Sequence, residues 1–310
     1  LELPGGHAVS RPLMDQALTE CAIEAGAQLL TNTAVTIESA GSAAGSEVCD
    51  SRSALDNHGN QYVASTLVAA NGLGSQSLSS DARDEIQVSP DSRIGLGAQW
   101  FPPKASPHEL MRLSEGVIYM AVGQPGYVGL VVTEGGGINL AAAVDRNAVQ
   151  AKGPARVCDE VLRSCGWDLG SDLMRASFLG TRRLTRRRGL AGGHRLFFAG
   201  DSSGYVEPFT GEGMAWAVRA GMAVVPWVDQ AVVKWRDDVP QNWTAELKRL
   251  LGKQQWRCRL LSRALRHPTF VRHTVSALAR FPSLGRFAVD QFQREHPPAC
   301  LLYTSDAADD

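Results

Sequence analysis

The stretch Arg195–Trp216, RLFFAGDSSGYVEPFTGEGMAW, constrains this chain more than any other. Leu196-Phe197-Phe198-Ala199 is an apolar run of strand length. Gly200-Asp201 breaks it, and a loop of small residues then passes Pro208 and Gly211-Glu212-Gly213. From Met214 the spacing is helical, with Met214, Val218, Met222 and Val225 on one face. A strand, a glycine-rich turn and a helix entry specify an α/β layer with a place for an anionic or dipolar ligand. The first helical N–H groups lack internal partners, and the helix dipole puts partial positive charge there. Glycines let backbone approach a flat ligand. Asp201, at the strand end, is placed to accept hydrogen bonds from sugar hydroxyls.

The remaining composition narrows the class. A chain of 310 residues allows one large domain or two smaller ones. Its 44% hydrophobic and 20% charged content is that of an ordinary globular protein. The net charge of −1 offers no electrostatic argument for nucleic acid. Six cysteines lie scattered, without CxxC or a metal-type Cys/His cluster, which fits buried free thiols in a reducing cytosol. No apolar run approaches the ~18–20 residues of a membrane span, and no signal peptide is visible. The expected location is therefore cytoplasmic.

Along the chain, Arg11-Pro12 opens a helix whose apolar stripe is Met14, Leu18, Cys21/Ala22 and Ala25, ended by Gly26. Ala27–Thr31 and Ala34–Ile37 read as extended. Ser46–Ser53 and Gln61–Ala69 read as strands paired around the Asp56-Asn57-His58-Gly59 turn. Ile94–Trp100, Gly116–Val122, Tyr127–Thr133 and Ile138–Val144 predict a mostly antiparallel sheet. Gly135-Gly136-Gly137 falls inside that strand pattern and opens no helix. Ala151–Cys165 predicts one helix. Arg182-Arg183 and Arg186-Arg187-Arg188 read as a solvated loop, with a phosphate contact as the competing reading. After Val228 the chain becomes helical and basic, with 13 Lys/Arg against 5 Asp/Glu over Lys234–His296. The plain reading is a helical layer with a solvated basic face; the competing one is peripheral contact with an anionic membrane.

Gly200-Asp201 followed by Pro208-x-x-Gly211-x-Gly213-Met214 resembles the second FAD-binding motif of the flavoprotein monooxygenase and geranylgeranyl-reductase superfamily. Arg11-x-x-x-Asp15-x-x-Leu18-x-x-x-Ala22-x-x-x-Gly26-Ala27 is similar to a second pattern of that family. The resemblance implies FAD as cofactor, with NAD(P)H as a candidate electron donor, and a cofactor site formed by Arg11, Val35, Gly200, Asp201, Pro208, Gly211, Gly213 and Met214. Asp201 would hold ribityl or ribose hydroxyls, Arg11 would reach the FAD, and backbone near Val35 would touch the adenine. Asn71-Gly72 departs from the family's Asp-Gly, which puts that residue's pyrophosphate role in doubt.

The implied fold class is mixed α/β: the para-hydroxybenzoate-hydroxylase-like FAD/NAD(P)-binding fold lacking its first βαβ unit, with an antiparallel substrate sheet and a helical C-terminus. The segments are a partial FAD-binding region at 1–90, the substrate sheet at 91–150, a return to the FAD-binding region at 151–228, basic helices at 229–300, and a tail at 301–310 that reads as non-native. No strand–GxGxxG–helix unit is found, and N-terminal truncation is the expectation. The implied activity is hydride transfer from reduced flavin to an alkene or similar apolar substrate. The alternatives are hydroxylation of an aromatic or polyketide ring, or a fragment unable to retain FAD. Gln124–Leu130 carries no tryptophan where flavin halogenases show Trp-x-Trp, which argues against halogenation. No catalytic acid, base or metal ligand is assigned.

Overall fold

The computed structural model describes residues 10–38, 50–74, 86–102, 113–207, 209 and 211–281. Helix α1 (Arg11–Glu24) starts where Ser10 Oγ accepts from the Leu13 amide and Pro12 occupies the first turn; Gly26, at φ +96°, lets the chain leave it. Strands β1 (Val35–Ile37), β2 (Arg52–Asp56) and β3 (Gln61–Ala64) form an antiparallel sheet in that order. The Asp56 carboxylate ties its hairpin, accepting from the His58 and Asn60 amides at 2.8 Å each and from the Tyr62 hydroxyl.

The expected single strand Gln61–Ala69 is two. After β3 the chain breaks at Ser65-Thr66, and β4 (Leu67–Ala69) joins a different sheet, parallel to a strand some 130 residues away in sequence. That partner competes for the ladder, and no local pattern announces it.

Strands β5 (Gln87–Val88), β6 (Ile94–Trp100), β7 (Ile118–Gly123), β8 (Gly126–Val132) and β9 (Ile138–Val144) follow. β6 to β9 and the later β10 (Phe178–Arg183) make a five-stranded antiparallel sheet in the order β10-β6-β9-β8-β7. Gly135 and Gly136, both at positive φ, form the 3-10 turn between β8 and β9 rather than part of a strand. Gly126 is obligatory on close-approach grounds: a Cβ there would lie 2.2 Å from the Ala143 carbonyl oxygen.

The expected helix Ala151–Cys165 starts earlier and is interrupted. α2 (Arg146–Lys152) ends at Gly153, φ +84°, and Pro154 starts α3 (Pro154–Ser164). α3 lays Val157, Cys158, Val161 and Leu162 on the sheet, where they join Leu96, Val128, Leu130, Leu140 and Val144 in the main core. Burial pushes the Cys158 thiol up to about 12. α4 (Gly170–Arg175) adds Leu173. Cys158 and Cys258 are buried as expected, whereas Cys21 and Cys165 are exposed.

β11 (Arg186–Arg187) pairs with β5 and with β14 (Gly204–Tyr205); β12 (Gly192–Gly193) pairs with β13 (Leu196–Phe198). The arginine run thus lies on two strands rather than in a loop, with Arg182, Arg183 and Arg187 solvated as expected. Arg186 and Arg188 are buried, the latter with its guanidinium carbon 3.8 Å from the Phe198 ring centroid.

Helices α5 (Gly213–Val233), α6 (Val239–Ala264) and α7 (Pro268–Arg280) close the described chain. The expected apolar face of α5 is reversed: Val218, Met222 and Val225 are exposed, while Trp216, Ala220, Val224 and Ala231 are buried against Phe197, Trp243 and Leu247. α5 is apolar on both sides, so periodicity alone could not choose the buried one. Among the described residues, no helix is long and apolar enough to cross a membrane.

Candidate functional site

β13 runs parallel to β4, with Leu196, Phe197 and Phe198 opposite Leu67, Val68 and Ala69, so both strands end at the same edge. The carboxyl ends of a parallel pair are where open α/β layers place ligands. The Ala199 amide extends the ladder to the Ala69 carbonyl at 3.1 Å. A 3-10 turn, Gly200–Ser203, follows at once. The buried Ser202 hydroxyl pins it, 2.5 Å from the Ala69 oxygen and 2.6 Å from that of Ala199. From behind, the Trp243 indole N–H donates to the Phe198 carbonyl at 3.1 Å.

Gly200 adopts φ +60°, and a Cβ there would lie 3.5 Å from that of Ala217. The turn thus rests on the second turn of α5, beside the helix entry carrying Gly213 and Met214. Gly211, at φ +79°, faces open space, and no side chain caps the helix. Pro208 lies outside the described residues.

Asp201 is half-buried; its carbonyl accepts from the Gly204 amide, and its carboxylate accepts no hydrogen bond within the described residues. Burial raises its pKa to about 6, and the positive charge of Arg11 opposes that rise. Arg11 and Asp201, far apart in the sequence, therefore share one electrostatic environment. Arg11 itself is exposed and pairs with Asp15 at 3.0 Å. Its helix is fastened to the β8–β9 turn through the Ser10 amide, which donates to Glu134 Oε2 at 3.1 Å.

Val35 opens β1, is 40% exposed and pairs with Asp56. Ile37, at the end of its strand, packs with Ala69, Leu196 and Phe198. Asn71-Gly72 follows β4 directly, on the edge where the Gly200–Ser203 turn lies.

One group went unassigned in the sequence. Glu207 and Arg93, each 2% exposed, face one another with Nη1–Oε1 at 3.4 Å. The Tyr127 hydroxyl hydrogen-bonds Glu207, and its ring meets Phe209 edge-on at 4.9 Å. Asp145 Oδ1 lies 3.7 Å from Arg93 Nε. Burial raises the Glu207 pKa against the pull of Arg93; burial and Glu207 together raise that of Tyr127. Glu207 precedes Pro208 in the motif and Tyr127 stands out on its strand, but nothing in sequence marks Arg93 as their partner.

No protein-family model and no curated protein matches the chain. Solved structures do. The p-nitrophenol 4-monooxygenase PnpA from Pseudomonas putida DLL-E4 matches at TM-score 0.67 and 12% identity, over 92% of this chain and 72% of that one. The anhydrotetracycline hydroxylase OxyS from Streptomyces rimosus matches at TM-score 0.61 and 18% identity, over 92% and 56%. The flavin-dependent halogenase CmlS matches at TM-score 0.59 and 15% identity, over 81% and 45%. The fold is thus the mixed α/β arrangement of these enzymes. The chain spans about half the length of the hydroxylase and the halogenase.

Proposed function

We propose that this chain is part of an FAD-dependent oxidoreductase of the monooxygenase type, holding its cofactor at the strand-end turn. The observation that carries the reading is Asp201: a half-buried carboxylate with no hydrogen-bond donor among the described residues, on a turn seated against α5. An unpartnered acceptor in a partly dry site costs free energy unless a ligand supplies donors. The residues present fit the group. Asp201 would accept from the ribityl or ribose hydroxyls of FAD. Gly211 and Gly213 would let backbone lie close to the ring, and the uncapped start of α5 would face its electron-rich edge. Arg11 would add positive charge toward the phosphates. FAD, when bound, supplies the redox chemistry; the chain orients it and excludes water.

Solved structures with this fold include hydroxylases, monooxygenases and halogenases, which supports oxygenation of an aromatic or polyketide ring over hydride transfer to an alkene. Exposed apolar residues on α1 (Leu13, Leu18, Ile23) and α5 (Val218, Met222, Val225) support the reading that a further unit of a longer flavoprotein covers this side.

The test is FAD titration followed by quenching of flavin fluorescence. The full chain should bind FAD, and Asp201→Ala should weaken binding by about tenfold to a hundredfold, the worth of lost charge-assisted hydrogen bonds. No binding by the unaltered chain, or equal binding by the variant, would remove Asp201 from the site.

A further inference from the structure

A second site is built from arginines that the cofactor reading leaves unused. A cleft of ≈620 Å³ is lined by Arg146 from the start of α2, Arg182 and Arg183 from the end of β10, and Arg186 from β11. Three separate elements thus bring four guanidiniums to one cavity, and no carboxylate is among the described residues that line it. Some exposed arginines elsewhere are neutralised, Arg163 by Asp159 and Asp168, Arg236 by Asp238, Arg249 by Glu246, and others, such as Arg156 and Arg175, stand singly on the surface among the described residues. Arg146, Arg182 and Arg183 have no ion pair among the described residues.

Arg186 is the fixed member, only 6% exposed. Its Nε and Nη2 donate to the Arg183 carbonyl at 3.1 and 2.6 Å, and Nη1 donates to the Leu73 carbonyl at 3.0 Å. Those bonds use three of five N–H groups and lock the guanidinium plane, leaving two donors in fixed directions. Burial and the adjacent Arg182 both press against the Arg186 charge. Like charges gathered without a counter-ion are a standing cost that a bound anion would relieve. The remaining wall combines apolar Ile86, Val88, Ile94 and Val149 with the polar side chains of Gln150 and Thr181.

We propose that this cleft binds a phosphate or pyrophosphate ester carrying an apolar or aromatic body, with Arg186 as the rigid fork and Arg146, Arg182 and Arg183 as mobile clamps. Guanidiniums match phosphate oxygens in paired hydrogen bonds. The site is separate from the strand-end turn but tied to its surroundings: Arg186 pairs with Tyr205 through the backbone and holds Leu73, next to Asn71-Gly72. An occupied cleft would steady both loops.

The experiment is isothermal titration of the full chain at physiological ionic strength with inorganic pyrophosphate, adenosine 2′,5′-bisphosphate and geranyl diphosphate. Submillimolar binding of at least one ester, weakened at least about tenfold in Arg182→Gln/Arg183→Gln and in Arg146→Gln, is expected. These side chains are exposed, so the fold should survive. Preference for the adenosine probe would mark a nucleotide as the source of the phosphate; preference for the geranyl probe would mark an apolar-tailed substrate. Binding of none of the three, or binding unchanged in both arginine variants, would overturn the proposal. Asp201→Ala is expected to leave pyrophosphate affinity intact; its loss in that variant would put the anion at the turn instead and equally sink the second site. An intact arginine cleft in a chain that fails to take up FAD would refute only the cofactor reading.

Discussion

Helices α1 and α3 are of similar length and opposite in what they bury. α3 seats Val157, Cys158, Val161 and Leu162 in the sheet core, while α1 buries no residue and leaves Leu13, Leu18 and Ile23 about half exposed. α1 is held by its first turn, through the Ser10 cap and the Ser10–Glu134 bond. The sheet covers the inner face of α3; on the other side of the comparison, α1 and the face of α5 with Val218, Met222 and Val225 stay exposed.

Four measurements would break or sharpen that contrast. The largest effect is expected where the two sides are bolted together. Glu207→Ala removes the buried partner of Arg93, leaving it only the half-exposed Asp145 carboxylate, and should cost about 3–5 kcal/mol in urea unfolding; a loss under about 1 kcal/mol would mean that the loop after β14 floats free of the sheet. Next, Leu162→Ala in α3 should cost about 2–5 kcal/mol by the same assay, through lost burial and a residual cavity.

The third concerns pH. In the folded chain Asp201 titrates near 6, above its ordinary 3.8, so the folded state holds the proton more tightly than the unfolded chain. Its contribution is therefore favourable below about pH 4 and is lost as pH rises through 6. Asp201→Asn should melt with the parent chain at pH 4 and be more stable by about 1–2 kcal/mol at pH 7.5, a figure reduced for the partial exposure of the group. A variant no more stable than the parent at pH 7.5 would contradict a desolvated carboxylate. The smallest effect belongs to α1: Leu18→Ala should change stability by less than about 0.5 kcal/mol, and a core-like loss would show that α1 is already covered.

The same division governs what could be read from sequence. Strands β7 to β9 are legible because each is a short apolar run beside a glycine turn and pairs with its neighbour in the chain; β6 is legible from its own pattern although its partners, β9 and β10, are not its chain neighbours. The Gly200-Asp201 turn was legible because glycine, carboxylate and helix entry are all local. What failed depended on distant partners. β4 was hidden inside a longer apolar stretch because its ladder partner is β13. Arg186 and Arg188 looked solvated because their burial rests on carbonyl groups of Arg183, Leu73 and Ser202 and on the Phe198 ring. The buried face of α5 is not legible because both faces are apolar and the choice rests on distant partners, Phe197 of β13 and Trp243 and Leu247 of α6.

The hydrogen bond from Trp243 to Phe198 gives the protein an optical readout of its own. That indole is fully shielded from water and stands directly behind the strand whose end makes the Asp201 turn. Its emission should be blue-shifted and should overlap the absorption of a yellow chromophore lodged nearby. Excitation energy would then drain from the indole to the guest, so occupancy could be followed without a label, and Trp243→Phe would dim the signal.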